Sequence, residues 1–263
     1  MKTIRTAVFS FCLLGFAFTA CDRDKVDPDK TCNVQSIKNE NNDLVSEYTY
    51  DAQKRLTKFT RYSNGSPSGY TAYEYAPTSV LERNYTGEGV LLQTVTFELG
   101  PDGLAKRSYT SSQTATGTRF DTTVYTYDGK GYRARQLLAS TSVRADGSRY
   151  TIQSSYEYNM SPAGDLFLLR ITNDSPGSAN TLYDFLYDYH STPNRNPNLR
   201  PYLGKQSVNH MKSFTYLING DVQHENLYTH TLDKEGLISR TDLTRTQNGS
   251  SERSASVYAY VCN

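Results

Sequence analysis

An aromatic–x–aromatic unit returns along this chain and constrains it more than any other feature. The fullest copies are Tyr48-Thr49-Tyr50-Asp51, Tyr125-Thr126-Tyr127-Asp128, and Tyr228-Thr229-His230 with Asp233 behind it. Looser copies begin at Tyr73, Phe97, Tyr156 and Phe185, and a shortened one ends the chain as Tyr258-Ala259-Tyr260-Val261-Cys262. A recurrence of this size marks a repeated supersecondary unit. The alternation puts both aromatics on one strand face and Thr, Val or Glu on the other. Turn residues follow at Pro101-Asp102-Gly103, Asp128-Gly129, Ala145-Asp146-Gly147, Pro162-Ala163-Gly164, Asn219-Gly220 and Asn248-Gly249. They supply the positive φ angles that tight reversals need. No stretch reads as a long amphipathic helix. The pattern predicts an all-β chain: one antiparallel meander of a dozen or more strands in serial hairpins, strongly curved or closed like a barrel, Tyr face inward.

The apolar inventory agrees. Ile, Leu, Val and Phe make up roughly 18% of residues 21–263, below the ~20% at which disorder becomes a concern. Twenty-two Tyr offset that shortage, and there is no Trp. Disorder also needs a high net charge. The whole chain is +1, and loss of Lys2 and Arg5 with a leader leaves −1. A near-neutral chain lacks the field for nucleic acid, which is excluded as a partner. So little aliphatic volume argues against a thick two-layer sandwich.

The first twenty residues read as a leader. Lys2 and Arg5 precede the apolar run from Ala7 to Phe18, about half the ~20 residues of a membrane-spanning helix. Phe18-Thr19-Ala20-Cys21 resembles the lipobox of bacterial lipoproteins, with Phe18 where Leu is usual. The resemblance implies a signal peptide over 1–20 and lipid on Cys21, with the bilayer as a partner held through the acyl chains. Residues 21–31 carry Asp22, Asp24, Asp27 and Asp29 and read as a solvated acidic tether. They lack the turn Gly and closing Glu of a calcium loop.

Two cysteines remain, Cys32 and Cys262, at opposite ends of the folded part. In an oxidising compartment they are expected to form a disulfide. Their Cα atoms would then lie roughly 4.4–6.8 Å apart. The first and last strands would become neighbours, and the sheet would lose its edges.

The aromatic–Asp copies resemble the tyrosine–aspartate (YD) repeat in the short, degenerate form found in Bacteroidetes envelope lipoproteins of unknown function. The likeness spans most of 33–262. An insertion over 191–212 shares it, with Asn196-Pro197, Leu203-Gly204 and Ser207-Val208-Asn209 ahead of Phe214-Thr215-Tyr216. Several copies depart by lacking the Asp, and the Tyr73 copy has Pro77 where a turn Gly belongs. The resemblance implies a fold and an outer-membrane lipoprotein address. It carries no catalytic residues.

Candidate chemistry is sparse. His190, His210, His224 and His230 are not at metal-ligand spacing, and His224-Glu225 lacks the second His of a zinc-protease helix. Gly65-Ser66-Pro67-Ser68-Gly69 has Pro at the nucleophile position of an elbow motif. From Leu182 to His190, Tyr183, Phe185, Tyr187 and Tyr189 are expected on one face, with Asp184, Asp188 and His190 on the other. Aromatic spacing of this kind recurs along the chain, so the stretch reads as a strand packing on its neighbours rather than a sugar platform. A membrane-spanning barrel is disfavoured because charges recur mid-strand. The residues therefore point to residues 32–263 as one hairpin-repeat domain without catalytic residues, cofactor or metal. Its expected role is a non-catalytic scaffold or binding protein for a glycan or protein. The alternative is a carbohydrate-active or peptide-cleaving envelope enzyme, marked by converging carboxylates or a His–carboxylate pair in a pocket.

Overall fold

A computed structural model describes residues 32–114, 117–174 and 181–262. The leader, Cys21 and the tether lie outside the described residues. The first strands are β1 (Cys32–Asn39), β2 (Leu44–Tyr50), β3 (Leu56–Ser63), β4 (Ser66–Ala76), β5 (Ser79–Thr86) and β6 (Leu91–Leu99). Then come β7 (Ala105–Thr114), β8 (Gly117–Tyr127), β9 (Arg133–Arg144), β10 (Arg149–Met160) and β11 (Leu166–Asp174). The last are β12 (Thr181–Pro193), β13 (Asn209–Ile218), β14 (Asp221–Leu232), β15 (Ile238–Gln247) and β16 (Ser250–Cys262). Each strand pairs antiparallel with its sequence neighbours, and β16 returns to β1. The result is a closed sixteen-stranded barrel.

Cys32 and Cys262 stand directly opposite each other across the closing seam and are disulfide-bonded. Their Cα atoms are 4.0 Å apart, tighter than the expected range and close to the ~4.5 Å of directly opposed antiparallel residues. The barrel end where β1 begins and β16 stops is called the near mouth below.

The aromatic unit has a structural reason. Residues facing each other across paired strands share a face. Tyr48 faces Phe59, Phe59 faces Thr71, Tyr73 faces Glu82 and Val80 faces Phe97, all inward. The second aromatic of four units hands its hydroxyl to a carbonyl on the preceding strand. Tyr50 donates to Val34 at 2.8 Å, and Tyr75 to Leu56, Tyr127 to Ala105 and Tyr260 to Ile238, each at 2.9 Å. Each phenol thus packs its ring inside while tying an even strand to the start of the odd one before it. Burial raises the Tyr75 and Tyr127 hydroxyls to about 12, so they stay protonated donors.

The Asp is a turn device. The carboxylates of Asp51, Asp128 and Asp233 each accept the backbone N–H groups two and four residues on. The third position carries the positive φ: Lys54 at 63°, Gly131 at 86° and Gly236 at 77°. In the second of these turns Gly131, rather than the expected Gly129, supplies it, because the reversal spans five residues instead of two. Asn219-Gly220 and Asn248-Gly249 are true two-residue turns, with positive φ at both positions.

Between the aromatics the interior is polar. Ser46, Thr71, Ser108, Thr123, Ser140, Asn226 and Thr241 are buried, and Ser108 bonds Tyr125 and Thr71 bonds Asn84. The low aliphatic count follows directly. The outer wall carries ion pairs between or along strands: Arg83 with Glu74, Arg170 with Asp184, and Arg240 with Asp242. Exposed apolar side chains, among them Val45, Leu92, Phe120, Leu137, Leu186, Leu227 and Val257, share the described surface with these pairs. Among the described residues no helix is long and apolar enough to cross a membrane.

Candidate functional site

The expected excursion over 191–212 is narrower in the structure. β12 ends at Pro193 and β13 begins at Asn209, so 194–208 form a strap across the near mouth. Asn194 N–H donates to the Val208 carbonyl at 2.6 Å and closes its base. The Asn196 side-chain oxygen accepts from the Tyr260 hydroxyl at 3.1 Å. The short 3₁₀ turn Pro201–Leu203 reaches the opposite wall, and Lys205 N–H then donates to the Gly131 carbonyl at 3.0 Å. Gly204 makes that approach: its φ is 94°, and a Cβ there would lie 3.0 Å from the Gly131 oxygen and from the Tyr127 ring. The strap returns through Ser207, which accepts from Leu166 N–H, and Asn209, whose N–H and amide both donate to Asp165 at 2.8 Å.

A buried latch holds the centre of the strap. Tyr202 inserts among Val80, Phe97, Ala105 and Tyr125, the apolar cluster of the barrel. Its ring centroid lies 5.1 Å from that of Phe97, and its hydroxyl donates to Glu82. Arg200 reaches Glu82 and the Tyr73 hydroxyl, each at 3.2 Å. Burial opposes the Arg200 cation, but Glu82 and Tyr73 outweigh it and raise its pKa. Burial and then the Glu82 charge raise Tyr202. Glu82 is only 4% exposed, so its charge is fully committed to the strap. Sequence reasoning missed this latch. Its one local signal was a carboxylate at an inward position of β5, between Val80 and Asn84.

The strap leaves two pockets. One of about 480 Å³ opens at the near mouth between the 51–55 and 100–104 turns and the strap. The other, about 420 Å³, lies by Tyr48, Phe59 and Tyr73. Leu56, Pro197, Asn198 and Leu199 wall both.

The histidines gather elsewhere. A register shift after Asp188 turns His190 away from the predicted Asp184–Asp188 face. Its ring packs 5.8 Å from His230, which lies 5.5 Å from His210. His230 is held by the Met211 carbonyl at 2.7 Å and the Thr241 hydroxyl at 3.0 Å. Among the described residues no group of His, Cys, Asp and Glu is arranged to hold a metal. The aromatics of β12 stack on β13: Phe185 lies 4.8 Å from Tyr216 and Tyr187 6.0 Å from Phe214. The stretch therefore packs on its neighbour, as its recurrence predicted. His224, also inward, closes this stack against Tyr216 at 5.2 Å.

The barrel has solved counterparts. A porin-like protein from Bacteroides vulgatus ATCC 8482 superposes with a TM-score of 0.60 at 15% identity, over 87% of this chain and 99% of that one. A porin-like protein from Bacteroides uniformis ATCC 8492 gives 0.56 at 17% identity, over 88% and 97%. At such identities the likeness is one of fold. No family model matches the chain, and no curated protein sequence does.

His210 gives the barrel a defined acid sensitivity. It is 3% exposed with Nε2 unpartnered. Burial, and then His230 and His190, lower its pKa from 6.5 to about 4. The unfolded chain therefore takes up this proton first as pH falls. The imidazole is neutral in both states above about pH 6.5, and stability declines from there to about pH 4, by up to roughly 3 kcal/mol. Urea unfolding between pH 7 and 4 should show that decline, and His210→Leu should make it shallower, with the remainder belonging to groups such as His230, which burial also lowers. An unchanged slope in the variant would assign the acid sensitivity to other groups.

Proposed function

We propose that this chain is an envelope lipoprotein, anchored at the outer membrane through an acylated Cys21, whose barrel is a non-catalytic binding or scaffold body. The carrying observation is the near mouth: a built strap encloses an open pocket there, beside the point where residues 21–31 join the barrel at Cys32. Fully extended, that tether spans about 35 Å, so the pocket would sit within that distance of the bilayer. The ion pairs on the outer wall support a barrel held beside the membrane rather than in it. The lipobox and YD resemblances, and the fold shared with Bacteroides proteins, support the address.

The enzyme alternative required converging carboxylates or a His–carboxylate pair in a pocket. The mouth pocket contains one carboxylate, Asp102, which Lys106 holds at 2.9 Å. Glu82 is sealed by Arg200 and Tyr202. The His cluster rests on Thr241 and on backbone carbonyls. This arrangement favours binding over hydrolysis.

Metabolic labelling with an alkyne fatty acid in a Bacteroidetes host tests the anchor. The native chain should take the label and sediment with outer membranes. Cys21→Ser should lose both. A variant that keeps its membrane association would overturn the anchored reading.

A further inference from the structure

We infer that the pocket beside Tyr48, Phe59 and Tyr73 binds a short neutral saccharide. The inference deepens the binding reading above and rests on it.

The barrel side of this pocket is aromatic. Tyr48 on β2 and Phe59 on β3 stand opposite each other with ring centroids 5.1 Å apart, and Tyr73 on β4 extends the surface. Flat rings of this kind pack against the C–H faces of a sugar ring, whose hydroxyls then need hydrogen bonds at its edge. The strap supplies those through Asn198, Arg200 and Gln206. Asn198 is fixed in place: its amide donates to the Gly204 carbonyl at 2.9 Å and accepts from Arg200 N–H at 3.1 Å. The Arg200 side chain stays 44% exposed, and its bonds to Glu82 and Tyr73 both use Nη2. Nη1 and Nε are thus left without partners among the described residues. Gln206 spends its amide N–H on the Asn196 carbonyl and keeps its side-chain oxygen. The Tyr48 hydroxyl accepts from Ser46 at 3.4 Å and keeps its own hydrogen. An apolar guest would bury these groups unpaired, which costs free energy. Charge decides the rest. Among the described residues the lining holds one charged group, Arg200, and Glu82 answers it at 3.2 Å. Arg61 lies 6.0 Å over the Phe59 ring but outside the lining. The mouth pocket differs, because its phenols Tyr50, Tyr75 and Tyr202 have all donated their hydrogens to protein. A volume of about 420 Å³ falls within the range of small-ligand sites.

The test uses the full mature chain and saturation-transfer NMR with four neutral disaccharides: maltose, cellobiose, lactose and N,N′-diacetylchitobiose. At least one should bind saturably and one to one. Digalacturonate, which is charged, and cyclohexanol, a ring without the hydroxyl array, should each bind at least ten-fold more weakly. Phe59→Leu keeps apolar bulk but removes the stacking face and should raise Kd at least ten-fold. Gln206→Ala, on the exposed strap, should raise it about five-fold, the worth of one neutral hydrogen bond. Gln53→Ala, in the mouth pocket alone, should leave it unchanged. Each variant is read only where its circular dichroism is native, and Gln206→Ala decides alone if Phe59→Leu does not fold. Overturning results are no saturable binding of any of the four, affinity for digalacturonate or cyclohexanol equal to the best of them, indifference to the pocket variants, or an equal loss with Gln53→Ala. The same spectra report cleavage. Released monosaccharide would uphold the site and sink the non-catalytic reading, whereas failure to bind would sink the saccharide and leave acylation at Cys21 untouched.

Discussion

Opening the Cys32–Cys262 bridge is expected to lower the melting temperature by roughly 10–20 °C. The cysteines are 230 residues apart, so nearly the whole barrel lies inside the loop they close. Chain-entropy reasoning gives about 5 kcal/mol for a loop of that length, the upper end of what native bridges contribute. For a domain of this size each kcal/mol moves Tm by about 2–4 °C. The bridge also guards the seam. Without it, β1 and β16 rely on their ladder of hydrogen bonds, from Asn33 opposite Val261 to Asn39 opposite Ser256, which a register shift after Val34 interrupts. Fraying there would expose two long edges able to pair with another chain. Calorimetric melts of the oxidised chain, the reduced chain and the Cys32→Ser/Cys262→Ser double variant check this. A fall under about 3 °C would mean that hydrogen bonding alone closes the barrel.

The barrel was largely legible because its constraints are local and repeated. Period-two aromatics fixed the inward face. Asn219-Gly220 and Asn248-Gly249 fixed two reversals outright, and Cys32 with Cys262 fixed closure. What escaped the sequence is what forms only after closure. Glu82 and Arg200 are 118 residues apart, and Tyr202 is 120 from Glu82. No periodicity links them, because the strap meets β5 only when the ring of strands brings the mouth together. The Asp128 turn shows a smaller limit. Asp-Gly reads as a two-residue reversal, but the Asp carboxylate reaches Tyr132 N–H and draws out a five-residue one. His190 shows another: a register irregularity, invisible to strict alternation, moved it from one face to the other. The insertion itself was legible as an interruption of a regular meander, though not the mouth it crosses.

The second large effect belongs to the latch. Tyr202→Ala should release the strap without unfolding the barrel. The ring is 4% exposed, and truncating a buried aromatic costs about 3–5 kcal/mol. It also strips Glu82 of a donor, leaving Arg200 as the remaining side-chain partner of a carboxylate out of water. The ties nearest the ring, Lys205 to Gly131 and Asn196 to Tyr260, are single hydrogen bonds of about 1 kcal/mol each, while the bonds at Asn194, Ser207 and Asn209 hold only the two ends of the strap. The strand ladders do not pass through the strap, so the penalty should appear as local opening. Hydrogen exchange should then show amides of 196–206 losing protection by a hundred-fold or more, while β7 to β9 keep theirs. Tyr202→Phe separates the two contributions. It retains the ring among Val80, Phe97 and Tyr125 and removes only the hydroxyl, so its loss of protection should be about ten-fold. If both variants melt the whole barrel together with the strap, the strap is part of the cooperative core rather than a gate laid over it. If neither changes exchange at 196–206, the strap is held from its two ends, by Asn194 with Val208 and by Asn209 with Asp165, and Tyr202 merely fills the space beneath it.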